Sequence, residues 1–148
     1  MSDPREEVLE RLKVIAAGVT GVQLVGRNLL EVPESKTPAV MILEGDEEVS
    51  PTHSEVRQRA TTPIPMVMVP ELCIIGNETA EDLGEILNAV RAELIGAVTT
   101  DATLAGILGS NGRVVYRGSV TDLGIGRAML GRMALRFAIT YVLKPNEL

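Results

Sequence analysis

MLGRMALRFAITYVLK, residues 129–144, alternates large apolar side chains with smaller or mixed ones. Met133, Leu135, Phe137, Ile139, Tyr141 and Leu143 fall on one side of an extended chain, and Ala134, Arg136, Ala138, Thr140 and Val142 fall on the other. A period of two over that length is the signature of a β-strand with one face on the core. The second face is neither strongly polar nor strongly apolar. It suits solvent or a neighbouring subunit, and Tyr141, large and amphipathic, suits either face.

The rest of the chain can be placed outward from this strand. RVVYRGSV reads as a strand just before it, preceded by a short helical turn over 102–108. Residues 79–98 predict a helix, with Leu83, Ile86, Leu87, Val90, Leu94 and Ile95 on one face and Asn77 or Thr79 as cap. IPMVMVPELCIIG, 64–76, predicts a strand whose Pro65 and Pro70 argue for an edge or a bulge. PAVMILEG, 38–45, is a short apolar strand, and VQLVGRNLLEV, 22–32, is another, with Gly26 as a bulge. The chain opens on a helix: Asp3 caps it, Pro4 fits its first turn, and Val8, Leu9, Leu12, Ile15, Ala16 and Val19 share a face that stops at Gly18 and Gly21. The order is α-β-β-β-α-β-β, an α+β class with a mostly antiparallel sheet of about five strands packed with two main helices. It forms one domain, 1–148, with a long polar excursion at 44–63.

Composition narrows the function. The core is aliphatic, since Tyr116, Phe137 and Tyr141 are the only aromatic residues. Single-stranded nucleic-acid binders need more stacking platforms than that. A net charge of −6 disfavours gripping DNA phosphates. Cys73 is the only cysteine and sits in an apolar run, so it reads as a small buried hydrophobe. The polar start and the lack of a long apolar run predict a soluble, intracellularly made protein without a membrane segment.

The residue patterns that could carry chemistry fall short of their templates. DATLAGILGSNGRVVYRG, 101–118, is rich in glycine but has no lysine where a P-loop needs one. Gly124-Ile125-Gly126 lacks the third glycine of a dinucleotide fingerprint and leads into a strand. Asn111-Gly112 reads instead as a turn entering a strand, both residues tolerating positive φ. His53, the only histidine, lies in the polar excursion without partners at ligand spacing. Glu44, Asp46, Glu47 and Glu48 lack the pattern of a calcium loop and read as a solvated or partner-facing patch. No catalytic residue, metal or cofactor is expected. Arginine is favoured where protein surfaces meet. The candidate interface residues are therefore the acidic Glu44, Asp46, Glu47 and Glu48 with Arg57, Arg59, Arg117, Arg127, Arg132 and Arg136, supported by Arg113.

The chain resembles the tail terminator (tail completion) proteins of long-tailed bacteriophages. The likeness rests on the opening helix followed by a strand with Arg27, on PAVMILEGDEE leading into a polar loop, on Leu94-Ile95-Gly96-Ala97-Val98 before Asp101-Ala102-Thr103-Leu104-Ala105-Gly106-Ile107-Leu108, and on the closing strand RFAITYVLK. It spans nearly the whole chain. It implies a virion protein, assembled in the host cytoplasm, that forms a ring of six copies. Such a ring caps the tail tube, ends its growth and joins the tail to the neck or head–tail connector. DNA passes through the lumen without specific binding, and no membrane is involved. The rival readings are another neck or head–tail joining protein, and a small oligomeric α+β enzyme or ligand-binding protein. The family supplies no residue-level interface motif.

Overall fold

A computed structural model describes residues 3–29, 31–51, 59–77, 80–123 and 130–148. The expectations for His53, Arg57, Arg127 and a Thr79 cap lie outside these residues. The described elements are helix α1 (Pro4–Ala17), strands β1 (Leu24–Arg27), β2 (Ala39–Leu43), β3 (Glu47–Val49), β4 (Ile64–Met68) and β5 (Glu71–Asn77), helices α2 (Ala80–Thr100) and α3 (Ala102–Leu108), and strands β6 (Arg113–Leu123) and β7 (Leu130–Leu143).

Among the described residues the seven strands form one sheet, and its register shows how they lie. β4 pairs with β7 from Ile64 opposite Leu143 to Met68 opposite Ile139, and β5 continues the same register from Glu71 opposite Arg136 to Asn77 opposite Leu130. Across the gap the Phe137 amide donates to the Pro70 carbonyl at 3.2 Å. β6 pairs with β7 over the same β7 residues, so it occupies the opposite edge. β4 and β5 are therefore one line of strand, broken at Val69-Pro70, where proline has no amide to donate. β2 and β3 form a second interrupted line, pairing with β5 and β4 respectively. The sheet thus has five lines: β1, β2 with β3, β4 with β5, β7, and β6. All pairings are antiparallel except that of β1 with β2.

Several local expectations change. The polar excursion is shorter than 44–63, because Glu47–Val49 joins the sheet as an edge strand. β4 is not an edge strand, since β3 and β7 flank it. Gly26 is no bulge: β1 pairs without interruption, and a Cβ there would lie 2.6 Å from Leu29 Cδ1. The bulge in the β2–β3 line falls at Gly45, whose φ is 67° and whose Cβ would meet the Val69 carbonyl oxygen at 2.3 Å. Only glycine fits there. In the 101–118 stretch the residues with positive φ are Gly109 at 78° and Gly118 at 110°, in place of Asn111 or Gly112. Gly112 is required for closeness instead, as a Cβ would sit 2.8 Å from the Thr140 oxygen of β7.

The three helices cover one face of the sheet. Val8, Leu9, Leu12, Ile15 and Ala16 of α1 and Leu83, Leu87, Val90, Leu94 and Val98 of α2 meet Val40, Ile42, Leu72, Ile74, Leu135, Phe137 and Ile139 in one cluster. No polar residue is buried among the described residues. Both helices follow from apolar residues at spacings of three and four. A smaller cluster on the other face, Ala39, Met41, Cys73 and Ile75, is covered by Leu24, Val32 and Leu43. Burial raises the Cys73 thiol above its ordinary pKa, which keeps it an unreactive small hydrophobe.

Candidate interaction surface

The β7 alternation divides as the sequence predicts. Met133, Leu135, Phe137, Ile139 and Tyr141 face the helices and are buried. Ala134, Arg136, Thr140 and Val142 face the other way and are partly or fully exposed, while Ala138 is buried there by its neighbours. Tyr141 therefore belongs to the helix-covered face, and its hydroxyl donates to Glu47. Burial is the main cause that raises its pKa, and the carboxylate adds to it.

Cross-strand partners share a face, so the register builds the open surface rung by rung. Arg113, Thr140, Val67 and Glu48 form one rung, and Val115 and Ala138 begin the next. Arg136 lies beside Glu71, with Nε to Oε1 at 3.3 Å. Both are substantially exposed, so this pair contributes little to stability. Val69 (44% exposed), Val115 (40%) and Val120 (48%) leave large apolar side chains in water. Val69 lines a groove of about 930 Å³ that also takes in Val67, Arg113, Arg117 and Arg136. Scattered apolar residues on a surface are ordinary, but apolar side chains set beside arginines on one sheet face are the composition of an interaction site.

The acidic stretch is divided. Glu44 accepts from Arg27 at 2.9 Å and from the Asn28 side chain. These two donors, Asn28 foremost, hold its carboxyl below the usual range. Glu47 takes the Tyr141 proton donor and lies 3.8 Å from Arg5. Both thus face groups of their own chain. Asp46 and Glu48 are exposed, and Glu48 lies on the open face. Arg59 is exposed near the start of β4, where its amide donates to Thr62 Oγ1 at 2.9 Å. Arg117 sits exposed at the irregularity in β6, and Arg132 is exposed on β7 opposite Asp122 and Ile75. The structure thus gathers Glu48, Arg117, Arg132 and Arg136 on one face and leaves Glu44 and Glu47 on another side.

Sequence reasoning missed two internal clamps. Arg27 reaches Glu6 at 2.5 Å and Glu10 at 2.8 Å as well as Glu44, tying α1 to the end of β1 and the β2–β3 bend. Arg11 meets Asp101 through two 2.8 Å bonds, and Asp101 also accepts from the Leu104 amide at 2.8 Å as the cap of α3. Arg11 foremost keeps Asp101 below the usual carboxylate range. An aspartate just before a helix was a legible cap signal. Its partner, ninety residues away in sequence, was not.

No family model matches the chain, and no curated protein matches it in sequence. Among solved structures, a chain from the virion of a native gene transfer agent (GTA) particle is similar to it, with a TM-score of 0.51 and 18% identity. The match covers 94% of this chain and 92% of that one. At that identity the likeness establishes a common fold over essentially the full length of both chains.

Proposed function

We propose that this chain is a structural virion protein of a phage-like particle, and within it a tail terminator: a ring of six copies that caps the tail tube, ends its growth and joins the tail to the neck. The carrying observation is the fold shared end to end with a chain of a GTA virion. That full coverage on both sides leaves little of either chain outside the common fold. The open, valine-bearing face beside Arg113, Arg117 and Arg136 supports work done by contact with other proteins, without chemistry of its own. In this reading the chain is a virion component assembled in the host cell, its partners are further copies, the tube protein and a connector, and DNA threads the ring without specific binding. The residues 113–144 include six basic residues and one acidic, while the rest of the chain has eight basic and nineteen acidic, so the basic charge is concentrated in one part of the sequence.

The test is to add the purified chain to polymerising tail tube protein and to image both by negative stain. Rings of the chain alone, and tubes arrested with a ring at one end, are the expected result. Tubes that grow unchanged, with the chain bound instead to connector particles, would move it to another neck role.

A further inference from the structure

We infer that the open face of β4, β7 and β6 is a docking surface for a second copy of this chain, which presents the outer side of its α2, so that copies join head to tail. The inference deepens the ring reading by assigning its contact, and it stands or falls on its own measurement. The first ground is that the face is apolar, exposed and cationic at once. Val69, Val115 and Val120 stay in water, and Arg113 and Arg117 have no ion-pair partner among the described residues. The second ground is where the compensating charge lies. Apart from Glu48 and Glu71 on the face itself, it lies on the remainder of the same chain, so another copy is a complementary partner.

Within that remainder, the outer side of α2 fits. Leu83, Leu87, Val90 and Leu94 turn inward, which leaves Glu85, Asn88, Ala89 and Ala92 exposed on the opposite side at spacings of three and four. Glu85 has no ion-pair partner among the described residues, and its neighbours are short, so the helix can approach a sheet closely. A helix lying on this sheet face repeats the packing the chain already uses on its other face. Because the two patches differ, the contact is heterologous, the kind that closes into a ring when the rotation allows it. Duplex DNA is the competing occupant of an arginine-bearing face. Glu48 and Glu71 on the same surface repel phosphate, and the valines offer nothing to a phosphate backbone.

Cysteine cross-linking tests this, with the unaltered chain and its buried Cys73 as the control. Val115→Cys combined with Ala92→Cys should give, on mild oxidation, a ladder running beyond dimers, while either substitution alone gives none. Arg113→Glu with Arg117→Glu should remove the ladder, and adding Glu85→Arg to that variant should restore part of it. Circular dichroism and a thermal melt check that each variant is folded. Dimers from Val115→Cys alone would mean that the face packs against itself, and would overturn the inference. So would the absence of a ladder from the folded double-cysteine chain at high concentration, and so would a duplex-DNA gel shift abolished by the two arginine changes. Arrested tubes without a ladder keep the terminator reading and discard this contact. A ladder without arrest keeps the contact and discards the capping.

Discussion

On the helix side of β7, Leu135, Phe137 and Ile139 are each 0% exposed. On the other side of the same strand, Arg136 and Thr140 stand open between them, and the valines of the flanking strands remain in water. One backbone thus carries two kinds of surface. The first is completed within a single chain, because α1, α2 and α3 supply the apolar partners it needs. The second has the curvature and side chains of a sheet face without a layer over it among the described residues. A sheet face left free of the fold's own packing in this way can be altered while the fold persists.

The largest expected effect comes from opposing the two faces directly. Phe137→Ala removes a ring that packs against Tyr116, with centroids 5.5 Å apart, inside the helix-covered core. It should cost about 3–5 kcal/mol, enough to unfold a large share of a marginal domain. Val69→Ala removes an exposed side chain of the open face and should change stability by only about 0.5 kcal/mol. Urea unfolding of the two variants measures the contrast. Similar losses from both would mean that the open face is structural, and the comparison would fail.

How far the sequence revealed these faces depends on how local each cause is. The period-two pattern in β7 and the spacings of three and four in α1 and α2 lie within one element, so the core face was legible. In residues 64–76 Pro65 and Pro70 argue for an edge or a bulge, and only the register shows Val67 beside Thr140 on the open face. β3 was missed because Glu47-Glu48-Val49 is polar and short, and becomes a strand only by pairing with β4. The parallel pairing of β1 with β2 and the Arg27 clamp depend on chain segments that sequence separation conceals. Of the acidic stretch, composition could not say that Glu44 and Glu47 turn to their own chain while Asp46 and Glu48 do not.

A smaller effect sharpens the account of the helix layer. Asp101 joins α1 to the start of α3, through Arg11 on one side and the Leu104 amide on the other. Asp101→Ala should cost about 1–2 kcal/mol at pH 7. Its folded pKa lies below the unfolded value, so its contribution is present above that value, about 3.9, and is lost as pH falls through the folded one. The gap between the parent and Asp101→Ala should therefore narrow as the pH falls below about 4, as read by urea unfolding at successively lower pH. A gap independent of pH would mean that the charge of Asp101 is not what holds the helices.

The smallest expected effect lies where the two faces meet. Tyr141 buries its ring on the helix side, yet its hydroxyl reaches Glu47 on the edge strand β3. Tyr141→Phe keeps the ring and removes one hydrogen bond to a half-exposed carboxylate that water can still reach. The cost should be about 0.5–1.5 kcal/mol near neutrality. The folded pKa of Tyr141 is raised, so its contribution is complete below the unfolded value of about 10 and declines as pH rises toward the folded one. Unfolding measured from pH 7 to pH 11 should thus show the parent losing stability at the alkaline end and Tyr141→Phe losing less. Because β3 has only three residues and, among the described residues, pairs only with β4, the same change should also speed amide hydrogen exchange in β3 more than in β7. Equal acceleration in both strands would show that the hydroxyl supports the core itself, and that the border between the two faces lies elsewhere.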